Sequence, residues 1–243
     1  MADRTTSSGR AVAGPRDLDL VARCITLAFA TDPVWSVALA RADGRTEHHE
    51  PYWRLFVDGA ARHGTVFLFD GGAAVSVWLP PGASELTPEQ EAALDRLLDE
   101  ALDEPARDAM HRLYERFEAS RAAVPAHHAY LSLLATHPEL RGRGVGQALL
   151  AADLAAWDAR GIPAYLESTN PGNDHRYVRA GFSPIGGFRA VRDDAQITAM
   201  WRTVGGIGAS RGDGSVSPSL PAPDTASTTP GPIGRDGVRR IDP

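Results

Sequence analysis

The chain has 243 residues, an apolar fraction of 43% and a formal net charge of −6. This length and composition provide the core of one domain, and the acidic balance argues against a nucleic-acid-binding surface. The one cysteine, Cys24, excludes a disulfide framework, and no apolar run reaches the length of a membrane span, so we expect a cytoplasmic protein with no membrane or nucleic-acid partner.

The front of the chain predicts one strand, three helical segments and a hairpin. Residues 1–9 are small and polar, which predicts a flexible N-terminus ahead of one domain at residues 10–204. The apolar spacing predicts a strand at 10–13, a helix at 17–30 ended by Asp32-Pro33, helical segments at 35–39 and 52–63, and strands at 65–70 and 73–79 joined by Gly71-Gly72.

A charged stretch predicts a helical insertion at about 87–120. Thr87-Pro-Glu-Gln has the form of a capping box, and Pro105 divides the stretch into two helices. The pair either forms one wall of a binding site or covers a sheet edge as a solvated layer. A last strand is predicted at 196–204, and the Gly-, Ser-, Thr- and Pro-rich residues 205–243 predict a disordered tail.

The most informative stretch, residues 129–150, reads as strand, glycine turn and helix in succession. Gly142, Gly144 and Gly146 leave the backbone free to approach a ligand, and the helix start that follows favours an anionic group. The chain has no lysine, which excludes a P-loop, and Gln147 stands where the dinucleotide fingerprint requires its third glycine.

Arg141-Gly-Arg-Gly-Val-Gly146 fits the pattern Arg/Gln-x-x-Gly-x-Gly/Ala and resembles the acetyl-CoA-binding motif of the GNAT superfamily of N-acetyltransferases. The resemblance continues through residues 162–182, with Asn170 seven residues before a closing Tyr177-x-x-x-Gly-Phe, and it covers about residues 127–190. Leu166-Glu-Ser-Thr-Asn-Pro and Ala28-Phe-Ala-Thr-Asp-Pro are also similar to puromycin N-acetyltransferase-like members.

The resemblance implies an α/β fold of the GNAT type, in which helices flank a mixed, mostly antiparallel central sheet that splays beside the glycine turn. It also implies a bulge at residues 134–136 whose backbone N–H groups meet the pantetheine arm and the thioester carbonyl. Asn170 is equally explicable as a helix cap. The implied acetyl-CoA contacts are Leu134, Ala135, Thr136, Arg141, Gly142, Arg143, Gly144, Val145, Gly146, Gln147, Asn170 and Asn173.

Two side chains are candidates for proton transfer. Tyr177 stands at the position of the family's tyrosine, where a phenol can protonate a departing thiolate; the alternative is an aromatic ring that packs on the sheet. The fourth strand has no carboxylate, so Glu167 on the next strand is the candidate base, directly or through water, with a structural hydrogen-bond role as the alternative.

Other polar and aromatic residues are also candidates for the site. His128 has the titration range of a base, but a surface pair with His127 is equally plausible. Neither this pair nor His48-His49 has zinc-site spacing, so we expect no metal. Tyr114, Trp35, Trp53 and Asp32 are candidates for an acceptor pocket or for core and capping roles.

From the resemblance we expect an acetyl-CoA-dependent N-acetyltransferase, with acetyl-CoA as co-substrate, that acts on a primary amine of a small molecule. An antibiotic or related metabolite is the leading acceptor class. If the acceptor is an antibiotic, the expected role of the protein is antibiotic resistance. The alternatives are a protein-amine acetyltransferase and a non-catalytic acyl-CoA-binding module. A monomer or a homodimer is expected.

Overall fold

A seven-stranded sheet organises residues 9–206, the part of the chain that the computed structural model describes. The strands are β1 (Arg10–Val12), β2 (Val66–Phe69), β3 (Ala74–Leu79), β4 (Ala129–Thr136), β5 (Ala164–Ser168), β6 (Ser183–Arg189) and β7 (Gln196–Arg202). Their order in the sheet is β1-β2-β3-β4-β5-β7-β6, and all neighbours are antiparallel except β4 and β5. The predicted mixed, mostly antiparallel sheet is confirmed.

Helices cover both faces of this sheet. They are α1 (Leu18–Phe29), α2 (Trp35–Ala38), α3 (His49–Ala61), α4 (Pro88–Ala101), α5 (Glu104–Ala122), α6 (Val145–Asp158) and α7 (Pro171–Arg179). The first five share a core with one face of the sheet, which supplies Val75, Val77 and Leu133. Helix α6 buries Leu149, Leu150 and Leu154 against the opposite face. The sheet therefore separates two apolar cores.

Strand β4 changes faces at Ser132. Val77 of β3 pairs with Leu133 and Trp78 pairs with Leu131, so Ser132 is the extra residue of a bulge. Leu131 packs in the α6 core, whereas Leu133 packs in the core of the first five helices. The prediction of a bulge at residues 134–136 is wrong, because those residues pair regularly with β3; the extra residue falls where the strand exchanges one core for the other.

Most predicted local features occur near their expected positions. Strands β2 and β3 form the antiparallel hairpin, and Thr87 and Gln90 form the reciprocal capping box of α4. The Asp32 carboxylate accepts the backbone N–H groups of Val34 and Trp35, so it begins α2 after α1 has ended at Phe29. Strand β6 is not predicted, since Pro184 and two glycines disfavour a strand; it lies at the sheet edge, where these residues are tolerated.

The predicted flexible N-terminus (1–9) and disordered tail (205–243) lie outside the described residues, apart from residues 9, 205 and 206. Within residues 9–206, no helix combines the length and the apolar character that crossing a bilayer requires.

Candidate active site

A cavity of about 1070 Å³ opens where β4 and β5 separate. The two parallel strands pair only at Ala129↔Ala164 and Tyr130↔Tyr165, although both continue beyond these residues. Parts of both strands, the glycine turn and α7 line one end of the cavity, while α4, α5 and the β3–α4 loop line the other. The splayed sheet therefore creates a site with two chemically different ends.

The glycine turn leads into an uncapped helix. Gly144, with φ of 78°, precedes α6, and no side chain in residues 9–206 caps the helix start. The first backbone N–H groups of a helix have no partner within it, so those of residues 144–147 are available at the cavity wall. They provide the partial positive charge that suits an anionic group.

Gly146 permits close contact between α6 and the end of β4. A Cβ atom at this position would lie 2.4 Å from Oγ1 of Thr136. Because any larger residue would push these elements apart, the glycine fixes how closely the helix start approaches the strand.

The end of β4 presents backbone donors to the gap. His137 donates its N–H to the carbonyl of Ala73, on the β3 side. Since backbone N–H groups alternate between the two sides of a strand, those of Leu134 and Thr136 point away from β3, toward the space that β5 has left. Leu134, Ala135 and Thr136 all line the cavity.

Helix α7 brings Tyr177 to the same end. Asn170 caps the helix by accepting the N–H of Gly172 at 3.0 Å, and Asn173 accepts a hydrogen bond from Arg176 at 3.0 Å. The Tyr177 ring packs edge-to-face on Phe182, and the residue lines the cavity. Burial raises the pKa of the Tyr177 phenol, and the nearby Asp32 carboxylate raises it further, so the hydroxyl keeps its proton at neutral pH.

Glu167 has one occupied and one free carboxylate oxygen. Its Oε1 accepts a hydrogen bond of 2.8 Å from the Tyr165 hydroxyl, which is 2.7 Å from Oγ of Ser120. Its Oε2 is buried and has no hydrogen-bond partner among residues 9–206. Burial raises the pKa of Glu167 to about 7, against the opposing effects of Arg121 and the Tyr165 hydrogen bond. A carboxyl group with this pKa can accept a proton near neutral pH.

Three residues at the other end form an interaction that the sequence does not predict. The Glu85 carboxylate, in the β3–α4 loop, accepts hydrogen bonds from Ser132 at the β4 bulge and from Arg121 of α5, the latter at 3.1 Å. The Arg121 guanidinium also lies 4.6 Å from the centre of the Tyr130 ring. Ser132 gives a weak signal as a polar residue inside an apolar strand, but nothing in the pattern marks Glu85 or Arg121.

The structure brings together all but one of the residues considered for the site. Trp35, Trp53, Tyr114 and Asp32 line the cavity, as do the candidate coenzyme contacts except Arg143, which is exposed outside the wall. His128 also lines it, but its Nδ1 is engaged with the Pro125 carbonyl at 2.6 Å, and burial lowers its pKa. Within residues 9–206, no group of three or more potential ligands could hold a metal ion.

Comparisons with known proteins agree with this geometry. The model of the Acetyltransferase (GNAT) family matches residues 109–182, which extend from α5 to Phe182 and include the glycine turn. An acetyltransferase from Corynebacterium glutamicum, described as histone acetyltransferase HPA2 and related acetyltransferase, has a similar fold, with a TM-score of 0.52, 23% identity and coverage of 81% of this chain and 96% of that one.

Two insect enzymes share the fold at lower identity. The mosquito arylalkylamine N-acetyltransferase like 5b has a TM-score of 0.55 and 16% identity, with coverage of 80% of this chain and 98% of that one. Arylalkylamine N-acetyltransferase 2 from Aedes aegypti has the same TM-score of 0.55 at 14% identity and the same coverage of 80% and 98%. The chain therefore has the fold of these acetyltransferases, and residues 109–182, which include the glycine turn, match the GNAT family model.

Proposed function

We propose that this protein is an acetyltransferase that transfers an acetyl group from acetyl-CoA to the primary amine of a small molecule by direct attack. The observation that supports the proposal is Glu167, which lines the cavity with a free Oε2 and a pKa of about 7, as a proton acceptor requires. Direct attack requires a neutral amine, and Glu167 removes the proton that an amine carries in water.

The residues at the splayed end fit acetyl-CoA, the co-substrate of GNAT acetyltransferases. The uncapped start of α6 suits the diphosphate, and the exposed donors of Leu134 and Thr136 suit an arm that contains amides. Arg141, Arg176 and Arg179 add positive charge at this end. When bound, acetyl-CoA supplies the acetyl group as an activated thioester.

Three groups of the chain then have separate roles in the acetyl transfer. Glu167 receives the amine proton at Oε2, while its hydrogen bond from Tyr165 holds the carboxylate in place. The N–H of Leu134 faces the gap and stabilises negative charge that develops on a carbonyl oxygen there. Tyr177 holds the proton that a thiolate leaving group requires.

The acceptor end favours an amine with an aromatic or apolar body. Tyr52, Trp53 and Phe56 of α3 line it together with Trp35 and Phe117, and the Trp35 and Phe117 rings stack with centroids 5.8 Å apart. An aromatic wall of this kind suits a ring or a hydrocarbon chain. Arylalkylamines and puromycin-like aminonucleosides are therefore our leading acceptor classes; the latter also rest on the resemblance of residues 28–33 and 166–171.

The first test is release of free thiol from acetyl-CoA with a panel of arylalkylamines, puromycin-like aminonucleosides, polyamines and lysine peptides. We expect turnover with one class of small aromatic amine. Turnover with lysine peptides alone would instead establish a protein-amine acetyltransferase.

The role of Glu167 is tested by the pH dependence of kcat. Because the ionised carboxylate is the base, we expect kcat to rise with pH through about 7. Glu167→Gln should remove this rise and lower kcat by about 10²- to 10⁴-fold. A rise that persists unchanged in the variant would assign the titration to another group.

A further inference from the structure

The acceptor end of the cavity carries an excess of carboxylates. Five carboxylates line it, those of Glu85, Glu91, Asp95, Glu118 and Glu167. Within residues 9–206, Arg121 is the one arginine that lines the same end. The other lining arginines lie on the glycine turn and α7, at the coenzyme end. A cationic amine is therefore attracted to the acceptor end, and an anionic group is repelled.

The charge of Arg121 is already paired with a carboxylate of the chain. Its Nη1 lies 3.1 Å from Oε2 of Glu85, and its guanidinium covers the Tyr130 ring at 4.6 Å. The side chains of Arg121 and Glu85 are 26% and 20% exposed, so this ion pair is largely removed from water. The Glu85 charge thus offsets the one cation that could otherwise bind a carboxylate at this end among residues 9–206.

Glu85 is held in this position from two sides. Its Oε1 accepts the hydroxyl proton of Ser132, the extra residue of the β4 bulge, while its Oε2 accepts from Arg121. It also lies close enough to Glu167 for the charge of one carboxylate to affect the other. A substrate carboxylate placed beside the reacting amine would meet both groups in a site of limited water access.

We propose that the acceptor is an amine without a carboxylate next to its amino group, and that Glu85 is the specificity-determining residue that rejects amino acids. Since this selection acts on the acceptor of the proposed transfer, it rests on the proposed function. Glu85 acts in two ways: it repels an incoming carboxylate, and it occupies the arginine that would bind one.

The test compares phenethylamine, phenylalaninamide and phenylalanine as acceptors for the wild-type enzyme, with rates normalised to the concentration of free amine. Phenylalaninamide and phenylalanine differ mainly in the charge of one group. We expect kcat/KM for phenylalanine to lie at least about 100-fold below that for phenylalaninamide, because a carboxylate meets like charges. Equal values would overturn the selection while leaving the proposed function intact; turnover of no amine at all would remove both.

The role of Glu85 is tested with Glu85→Gln, which keeps the shape of the side chain and frees Arg121. We expect the ratio of kcat/KM for phenylalaninamide to kcat/KM for phenylalanine to fall by about tenfold. Glu91→Gln, which removes the same charge from an exposed position at the cavity rim, is the matched control and should narrow the ratio far less. Equal narrowing by both variants would show a general charge effect and overturn the assignment to Glu85.

A further outcome would also contradict this role. If Glu85→Gln abolished transfer to phenethylamine and removed the pH-dependent rise, while Glu167→Gln retained both, Glu85 would be the base. Should Glu85→Gln not fold, the wild-type comparison of acid and amide still decides the selection, and Ser132→Ala tests the assignment to Glu85. Removing the Ser132 hydroxyl leaves Oε1 of Glu85 without this donor and should narrow the ratio in the same direction, whereas an unchanged ratio would count against Glu85.

Discussion

The two proposed proton-transfer residues differ in how their surroundings prepare them. Burial keeps the Tyr177 phenol protonated, while burial opposed by Arg121 and Tyr165 leaves Glu167 with a pKa of about 7. At neutral pH one side chain therefore holds a proton and the other can accept one. This is the division that attack by an amine and departure of a thiolate require.

We predict that Tyr177→Phe lowers kcat by about 10²- to 10⁴-fold, the usual contribution of a general acid. The affinity for acetyl-CoA, measured by calorimetry, should change little, because phenylalanine retains the ring that packs on Phe182. Tyr114→Phe is a useful comparison, since its hydroxyl is 2.8 Å from that of Tyr52 at the acceptor end, and we expect its effect mainly in the KM of the amine. An unchanged kcat for Tyr177→Phe would assign this tyrosine to packing.

At this scale the sequence predicts some site residues and misses others. Tyr177 stands in a motif of fixed spacing, and Glu167 is an acidic residue in an otherwise apolar strand, so both could be named as candidates before the fold was known. Glu85, Arg121 and Ser132 come from a loop, a helix end and a bulge. They contact one another only because three separate elements pack together, and no periodic pattern in the sequence predicts such a contact.

At the scale of elements, β4, the glycine turn and α6 form one unit. The apolar pattern of the sequence predicts the bounds of β4 closely, and residues along this strand are alternately buried. Gly144, in the left-handed conformation, precedes the first residue of α6. The bulge could not be placed, because the exchange of faces at Ser132 depends on which core receives Leu131 and which receives Leu133. Strand β6 could not be predicted, because Pro184 disfavours a strand locally. The strand forms because its pairing with β7 outweighs this local preference.

We predict that Gly146→Ala destabilises this unit. The new methyl group would lie 2.4 Å from Oγ1 of Thr136, and overpacking of this kind typically lowers the free energy of unfolding by about 1–3 kcal/mol. It should also weaken acetyl-CoA binding, since the start of α6 must move away from β4. Urea unfolding and calorimetry measure the two effects.

The matched variants for this prediction remove the clash or avoid it. Thr136→Ala combined with Gly146→Ala removes the opposing hydroxyl and should recover most of the lost stability, as coupled neighbours do in a double-mutant cycle. Gly14→Ala adds a methyl group at 3.5 Å from its nearest atom, Oδ2 of Asp17, and should have little effect. Additive losses from the two changes at Gly146 and Thr136 would contradict the clash.

At the scale of the whole molecule, the two ends of the cavity come from different parts of the chain. The glycine turn, α6 and α7 lie within the residues that match the family model, whereas α1 to α4 and the β3–α4 loop precede them. Motifs could therefore predict the proposed coenzyme end, whereas the sequence predicts the acceptor end only in outline, through Trp35, Trp53 and Tyr114 and the helical insertion as a candidate wall. The specificity that we propose rests on residues of the N-terminal helices and of the loop with Glu85, which line this end.

One buried carboxylate ties these parts together. Asp153 of α6 is fully buried and accepts hydrogen bonds from Ser76 and Trp78 of β3, at 2.6 and 2.9 Å. It also pairs with Arg10 of β1, the edge strand at the N-terminal end of the described chain. A single side chain thus links the helix that begins at the glycine turn to strands of the front half.

We predict that Asp153→Ala lowers the free energy of unfolding by about 3–5 kcal/mol, because it leaves two buried donors and a partly buried guanidinium without their partner. Glu47→Ala removes an ion pair with Arg45 in which both side chains are more than 60% exposed, and it should cause no measurable loss. Urea unfolding followed by tryptophan fluorescence compares the two. Hydrogen exchange should show increased opening of β1 and of the part of α6 around Asp153 in Asp153→Ala, since both depend on the same carboxylate. Opening confined to β1 would mean that α6 is held by its apolar contacts alone.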